Sequence, residues 1–407
     1  MMWTRGLARA AGTLGLVLAV SSQASEPHRA QPGNTPPGSP PPAGAERVVR
    51  GSLTVRDGRF VYPDGAPFRW RGITAFRLLE QVGHGREQDA RAYMEWARAQ
   101  GFNLVRVLGM ARHLFALTPQ EAARAVPRLL RLAAEMDLYV ELVVFADTRD
   151  YPKLSFPQHV DAVGAAIGAA SNVVVELANE NDHPTQDPKL TDLELLRSLR
   201  ARLPRGIAVS LGSLHGPGEA TERFRGGDYL TAHLYRGGDP WEQLGRIPDL
   251  GRLASRAGRP VISDEPIGAG ERVDPGRRLT DPAVFFAMGL LGRMAGVGTT
   301  FHCEDCLQSR VPGPTQAASA RAFIEGSLTL PDADSASLVA GASGGGPLSV
   351  EKVPGAAGLY VASVSGGRSH LLLALGLRPG AAIPWRPRWS ATIVAERPGV
   401  RVYRAKR

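Results

Sequence analysis

Residues 173–180 read Val-Val-Val-Glu-Leu-Ala-Asn-Glu, and residues 259–266 read Arg-Pro-Val-Ile-Ser-Asp-Glu-Pro. In each stretch a short, β-branched apolar run leads into polar residues, and a glutamate, Glu180 or Glu265, stands just beyond the run. Such runs are typical of buried strands in a parallel sheet. At the carboxyl ends of the strands of a parallel (β/α) barrel, side chains point into the mouth of the barrel. We therefore expect both carboxylates to lie at that mouth.

Short apolar runs alternate with amphipathic helices on both sides of these two stretches. The runs predict eight strands, near residues 72–75, 104–108, 139–145, 173–177, 207–211, 229–233, 261–263 and 298–301. Alternation of strands and helices indicates a parallel sheet, and eight units close into a barrel more readily than they form an open sheet. The predicted fold class is α/β, a (β/α)8 TIM barrel.

Helix-start signals fall between the predicted strands. Thr118-Pro-Gln-Glu121 is a capping box with proline at the first helical position, and it predicts a helix that ends near Met136. Residues 191–194, Thr-Asp-Leu-Glu, predict a second capping box, and Asp281-Pro282 predicts the start of a third helix. These positions agree with one helix after each strand.

The flanking segments differ from the barrel in composition. Residues 1–24 carry a basic start, a short apolar stretch and a small-residue cleavage pattern, which predict a signal peptide and export to the periplasm or the medium. Residues 25–50 are rich in proline and glycine and predict a disordered linker. The barrel is expected over 51–328, beginning with a β-hairpin lid, and a small β-sandwich-like module over 329–407.

Charge and cysteine content narrow the function classes. The formal net charge is +9, but the arginines are scattered over helices, which favours a solvated surface over a nucleic-acid partner and leaves an anionic polysaccharide as a minor option. Cys303 and Cys306 are the two cysteines, and in an exported protein they predict a structural disulfide rather than a metal or redox site. We expect no metal, no cofactor, no membrane span and a monomer.

Two carboxylates at one barrel mouth are what hydrolysis of a glycosidic bond with retained configuration requires. Glu180 is expected to be protonated, as the acid/base, and Glu265 ionised, as the nucleophile. Asn179 stands next to Glu180, where its amide can bond a sugar hydroxyl, and Arg106 and Tyr235 end other predicted strands as possible donors to Glu265.

At this point the chain resembles the clan A retaining glycoside hydrolases, particularly the cellulase-like family 5 type, over about residues 51–326. The motifs that carry the resemblance are Gly65-Ala-Pro-Phe-Arg-Trp-Arg-Gly-Ile-Thr, Gly101-Phe-Asn-Leu-Val-Arg106, Asn179-Glu180, His233-Leu-Tyr235 and Glu265. The resemblance implies that Glu180 is the acid/base and Glu265 the nucleophile. It also implies that Arg106, Asn179, His233 and Tyr235 line the substrate site and that the substrate is a poly- or oligosaccharide.

The chain departs from that pattern at two positions, and several aromatic residues have two interpretations. His302 follows strand eight where such enzymes often have a tryptophan, so it is included among the substrate-binding candidates, and Asp147 replaces a frequent histidine. Trp241 could supply a sugar platform or cap a helix, and Trp385 with Trp389 could bind glycan or pack the C-terminal module.

Alternative interpretations of individual candidate residues, and of the function of the whole chain, stay open. Arg106 could be a purely structural ion-pair partner, and His233 could be a core histidine whose hydrogen bonds are satisfied within the fold. For the whole chain the alternatives are an inactive carbohydrate-binding barrel, a transglycosylase that uses the same covalent intermediate, and a metal-dependent barrel hydrolase.

Overall fold

A computed structural model describes residues 47–214, 222–234, 243–265, 281–302 and 310–330, together with C-terminal strands within 349–406. The predicted signal peptide and nearly all of the predicted linker lie outside the described residues. The chain enters the fold through a hairpin of β1 (Thr54–Arg56) and β2 (Arg59–Val61). Its two turn residues, Asp57 and Gly58, both have positive φ, the conformation that a tight two-residue hairpin turn requires.

Eight parallel strands form one sheet in the order β7-β6-β5-β4-β3-β10-β9-β8, which confirms the TIM barrel. Asp228 bridges the two outermost strands of this order: its backbone N donates to the carbonyl of Val209 at 2.7 Å, and its carboxylate accepts from the Val209 N at 3.0 Å. The barrel strands are β3 (Arg71–Thr74), β4 (Leu104–Leu108), β5 (Tyr139–Phe145), β6 (Val173–Ala178), β7 (Val209–Ser210), β8 (Leu230–Ala232), β9 (Val261–Ser263) and β10 (Gly298–Phe301).

The helices between these strands begin where the capping residues predict, with one exception. Thr118 and Glu121 form the predicted capping box, and Asp281 accepts a hydrogen bond from the Ala283 N at 2.8 Å. The described α-helices are α1 (Leu78–Gly83), α2 (Glu87–Gln100), α3 (Pro119–Glu135), α4 (Phe156–Ile167), α5 (Leu193–Arg200), α6 (Ile247–Ala257), α7 (Pro282–Ala295) and α8 (Pro314–Leu328). Within the described ranges, no helix is both long and apolar enough to cross a membrane.

The exception is the capping box predicted at Thr191, which is wrong. Thr191 ends a 3-10 turn and its hydroxyl donates to the carbonyl of Pro188 at 2.8 Å, so it is not available as a cap. Asp192 caps α5 instead, since its carboxylate accepts from the Glu194 N at 2.9 Å. The capping box failed because the preceding turn had already engaged the threonine side chain.

Replacing Asp192 by Ala is expected to lower the free energy of unfolding by about 1 kcal/mol, because it removes the acceptor for the first helical N–H groups. Thr191→Ala, the matched control, is expected to cost less, because that hydroxyl bonds an exposed carbonyl that water can also reach. Urea unfolding of the two variants measures the difference. A larger loss of unfolding free energy in Thr191→Ala than in Asp192→Ala would show that Thr191 is the cap after all.

The hairpin covers the amino-terminal end of the barrel, opposite the mouth, so it is not a lid over the candidate site. The ring centroid of Phe60 lies 5.4 Å from that of Trp70 and 5.2 Å from that of Tyr229. This aromatic cluster also contacts residues at the starts of the barrel strands, among them Leu104 and Tyr139. The base of the barrel is therefore an apolar plug, and polar inward-facing side chains begin one layer above it.

The C-terminal module is a five-stranded antiparallel sheet in the order β11-β12-β13-β15-β14. Val400 and Val402 of its last strand are buried in the same core as the barrel helices, and Arg397 pairs with Glu325 of α8. Packing on the barrel is what a module with a thin core of its own requires. Its strands are β11 (Ser349–Lys352), β12 (Tyr360–Gly366), β13 (Ser369–Leu375), β14 (Ser390–Arg397) and β15 (Val400–Lys406). Trp385 and Trp389 lie outside the described residues.

Candidate active site

Glu180 and Glu265 both lie at the mouth of the barrel, each two residues beyond the end of its strand, β6 or β9. Their side chains are 14% and 7% exposed, respectively. Glu180 has a φ of 48°, a left-handed conformation that is costly for a residue with a long side chain. Such strain concentrates at functional sites, where the surrounding structure holds one side chain in one direction.

His233 lies between the two carboxylates. Its Nδ1 is 3.2 Å from Glu180 Oε1 and 3.8 Å from Glu265 Oε1. Because these distances share one atom, the two carboxylate oxygens lie within about 7 Å of each other. Burial alone would lower the pKa of His233, but the charges of Glu265 and Glu180 raise it above its ordinary value. His233 Nδ1 therefore lies within hydrogen-bonding distance of Glu180 and faces Glu265.

Arg106, on β4, is fully buried and holds Glu265 from below. Its Nη1 donates to Glu265 Oε1 at 3.2 Å, and its Nη2 donates to Glu176 Oε2 at 2.7 Å and to Asn179 Oδ1 at 2.8 Å. Burial would lower the pKa of Arg106, but Glu176 and the other nearby carboxylates raise it well above the usual value. The guanidinium thus stays charged and supplies the positive charge that an ionised Glu265 needs.

His302 and Asn179 complete the described surroundings of the two glutamates. His302 Nε2 lies 3.7 Å from Glu265 Oε2, and its Nδ1 bonds the Thr74 hydroxyl at 3.0 Å, which fixes the ring. The backbone N of Asn179 donates to the carbonyl of Phe145 at 2.9 Å, which ties it to the neighbouring strand. The structure therefore brings together six of the predicted site residues: Arg106, Asn179, Glu180, His233, Glu265 and His302.

The other predicted residues are placed at the rim or lie outside the described part. Asp147 follows β5 with a φ of 53°, and its buried carboxylate accepts from the backbone N of His113 at 3.2 Å and pairs with the ring of that histidine. Burial would raise the pKa of Asp147, but these hydrogen bonds lower it below its ordinary value. Tyr235, Trp241, Cys303 and Cys306 lie outside the described residues.

Three buried acids beneath the two glutamates were not predicted as site residues. Glu141 on β5, Glu176 on β6 and Asp264 just after β9 are fully buried, and all three lie within 4 Å of Arg106. We call them the carboxyl cluster. A signal was present in the sequence, because a charged residue inside a continuous apolar strand has no solvent to face and must meet a partner inside the barrel.

Part of the carboxyl cluster has the composition of a metal site. Ligand atoms of Glu176, His233 and Asp264 lie within 4.8 Å of one another. However, Arg106 already lies among them, with Nη2 2.7 Å from Glu176 and 3.3 Å from His233 Nε2. A metal ion would have to displace this guanidinium, so the arrangement favours Arg106 as the cation of the cluster.

Fold and geometry together define a (β/α)8 barrel with a paired-carboxylate site at its mouth. No protein-family profile matches the sequence, and no curated protein matches it. Among solved structures, the chain is similar to a glycoside hydrolase family 5 protein from Bacteroides vulgatus ATCC 8482, with 15% identity, a TM-score of 0.52 and 80% of each chain covered. A protein described as "Glycoside hydrolase" has 13% identity and a TM-score of 0.53, with 81% of this chain and 84% of that one covered. The predicted resemblance to family 5 is confirmed for the fold.

Proposed function

We propose that this protein is a retaining glycoside hydrolase that cleaves an O-glycosidic bond of a poly- or oligosaccharide. The observation that supports it is the pair Glu180 and Glu265, held at the barrel mouth on either side of His233 Nδ1. Retaining enzymes hold their carboxyl groups about 5–5.5 Å apart, and inverting ones about 6.5–9.5 Å apart. The upper bound of about 7 Å set by His233 includes the retaining separation and excludes all but the lower end of the inverting range.

In the first step, Glu265 attacks the anomeric carbon while Glu180 gives its proton to the departing glycosidic oxygen. The C–O bond to the leaving sugar breaks and a glycosyl ester of Glu265 forms. In the second step, Glu180 takes a proton from water, the resulting hydroxide attacks the same carbon, and Glu265 leaves as the carboxylate. Two inversions at one carbon give net retention.

The neighbours of the pair suit these two roles. Arg106 and its hydrogen bond to Glu265 stabilise the ionised nucleophile. His233, bonded to Glu180 and close to Glu265, stabilises negative charge on whichever carboxylate bears it during the cycle. The side-chain oxygen of Asn179 accepts from Arg106, and its amide nitrogen is the group that can donate to a substrate hydroxyl.

Replacing Glu180 by Ala is expected to lower kcat/KM about 10³-fold for substrates with a poor leaving group, because general acid catalysis contributes about 10²–10⁴-fold. For an aryl glycoside whose leaving phenol is acidic, the loss of the first step is expected to be far smaller, since that phenol departs without a proton. Added azide is expected to restore turnover and to give the glycosyl azide with retained configuration.

The comparison of leaving groups tests the assignment of the acid/base. Equal losses for both kinds of substrate would show that Glu180 is not the acid. Thr191→Ala, a change on a surface turn, serves as the control for expression and handling. Turnover of a β-glucan, mannan, xylan and aryl-glycoside panel by the wild type would identify the sugar. No turnover together with retained glycan binding would favour the inactive binding barrel.

We also propose that the protein is exported and that residues 1–24 are removed. The basic residues and short apolar stretch of the N-terminus support this, as does the proline-rich segment that follows. Sequencing the N-terminus of the mature protein from cell fractions tests it. A protein that retains residue 1 and stays in the cytoplasmic fraction would contradict it.

A further inference from the structure

The side chains of Glu141 and Asp264 lie within reach of each other at the centre of the barrel, and one oxygen of each faces Arg106 Nε. Both side chains are fully buried. Within the described residues, neither Glu141 Oε2 nor Asp264 Oδ2 receives a hydrogen bond from an N–H or O–H group. Arg106 Nε lies 3.6 and 3.9 Å from these two oxygens, which is an ionic contact longer than a hydrogen bond.

Two ionised carboxylates cannot hydrogen-bond each other, because each offers acceptors alone. A proton between Glu141 Oε2 and Asp264 Oδ2 supplies the donor that both oxygens lack and removes one of two buried like charges. The outer oxygens already have donors in place: the Tyr229 hydroxyl bonds Glu141 Oε1 at 2.9 Å, and the Thr300 hydroxyl bonds Asp264 Oδ1 at 3.4 Å.

We propose that Glu141 and Asp264 share a proton and act as positioning residues: as a protonated pair they leave Arg106 to hold Glu176 and Glu265. The pair lies within 4 Å of the same guanidinium that bonds Glu265. If both acids were ionised, two more charges would compete for that guanidinium and weaken its contact with Glu265. The role at Glu265 rests on the proposed function, whereas the shared proton does not.

The electrostatic surroundings agree with this assignment. Burial, and then the charge of Glu176, raise the pKa of Glu141 to about 8, although Arg106 opposes the shift. Burial and the neighbouring Glu141 raise the pKa of Asp264 well above its usual value. The charged and titratable groups that face the pair are Arg106 on β4, Glu176 on β6, His233 and Tyr229 at the two ends of β8, and Glu265 after β9.

The shared proton makes stability depend on pH with a definite sign. The unfolded chain releases the proton of Glu141 near its ordinary pKa of 4.5, whereas the folded chain keeps it up to about pH 8. The folded state therefore binds more protons between these values, and its stability falls as the pH rises through that window. Glu141→Gln cannot titrate, so this part of the pH dependence disappears in the variant.

The first test is infrared spectroscopy of the whole protein. Glu180→Ala, which lacks the protonated acid of the proposed mechanism, is expected to show the C=O stretch of a buried protonated carboxyl group at pH 6. This band is expected to be absent when Glu141→Gln is added to Glu180→Ala. The band is expected to persist when Glu176→Gln, the matched control, is added instead, since Glu176 is the buried carboxylate bonded to Arg106. Absence of the band from Glu180→Ala would overturn the proposal.

The second test compares melting temperatures between pH 5 and pH 8. The wild type is expected to lose at least about 5 °C relative to Glu141→Gln over this range. Parallel curves would overturn the shared proton.

The third test addresses the positioning role. Glu141→Ala is expected to lose about 10-fold or more in kcat/KM, and Glu141→Gln is expected to recover most of it. Failure of the proposed function would remove this third readout and leave the infrared and melting results intact.

Discussion

Glu265→Gln is expected to lower kcat at least about 10⁴-fold, which corresponds to about 5.4 kcal/mol of lost transition-state stabilisation. The amide is close in size and keeps the contact with His302, but it cannot form the glycosyl ester. The measurement is kcat on the best substrate of the glycan panel. Because Arg106 and His233 remain in place, the barrel is expected to keep its circular dichroism spectrum.

The smaller variant Glu265→Ala separates the roles of the two glutamates. With the nucleophile removed, azide is expected to attack the anomeric carbon directly, in one displacement, and to give a product of inverted configuration. Glu180→Ala is expected to give the retained product with the same reagent, because two displacements remain. Glu135→Gln, which alters a surface ion pair with Arg91, is the control that should keep wild-type kcat. Retained products from both site variants would show that Glu265 is not the nucleophile.

Arg106→Met is expected to lower the free energy of unfolding by about 3–5 kcal/mol, because it leaves buried carboxylates without their cation. Glu176 would lose both its hydrogen bonds to the guanidinium, and Glu265 would lose one. The loss is expected to shrink at acidic pH, where the carboxylates can take up protons instead. Urea unfolding at pH 7 and pH 5 measures both effects.

Arg91→Met is the matched control, since Arg91 and Glu135 are an ion pair with both side chains substantially exposed. Its removal is expected to cost no more than about 1 kcal/mol. If Arg106→Met cost as little as Arg91→Met, the carboxyl cluster would have to be neutral without the guanidinium. Arg106→Lys is expected to fall between the two, because a single ammonium cannot reach Glu176, Asn179 and Glu265 together.

The local pattern of the sequence was sufficient for the barrel and for its two glutamates. Strand β5 and strand β9 begin and end at the predicted residues, because an apolar run between polar turns has few other stable structures. Glu180 and Glu265 were found because a strand end in a parallel barrel always faces the mouth. Helix caps such as Thr118 were predictable because the capping partner is only three residues away in the sequence.

Contacts between distant strands were decided by the tertiary structure. Arg106 meets Glu176 and Glu265 across separations of 70 and 159 residues, and nothing local shows which acids share one guanidinium. The hairpin was predicted as an element, but its position at the base depends on aromatic packing with Tyr229.

By itself, then, the sequence determined the α/β barrel, the positions of its eight strands along the chain and the two carboxylates at the mouth. These follow from periodicities and strand ends that are read within a few residues. Closure of the barrel decided the rest. It placed Glu141 and Asp264 close together and fully buried, so the charge of each depends on the other and on Arg106. Burial and proximity set that charge, and both exist only once the eight strands have closed.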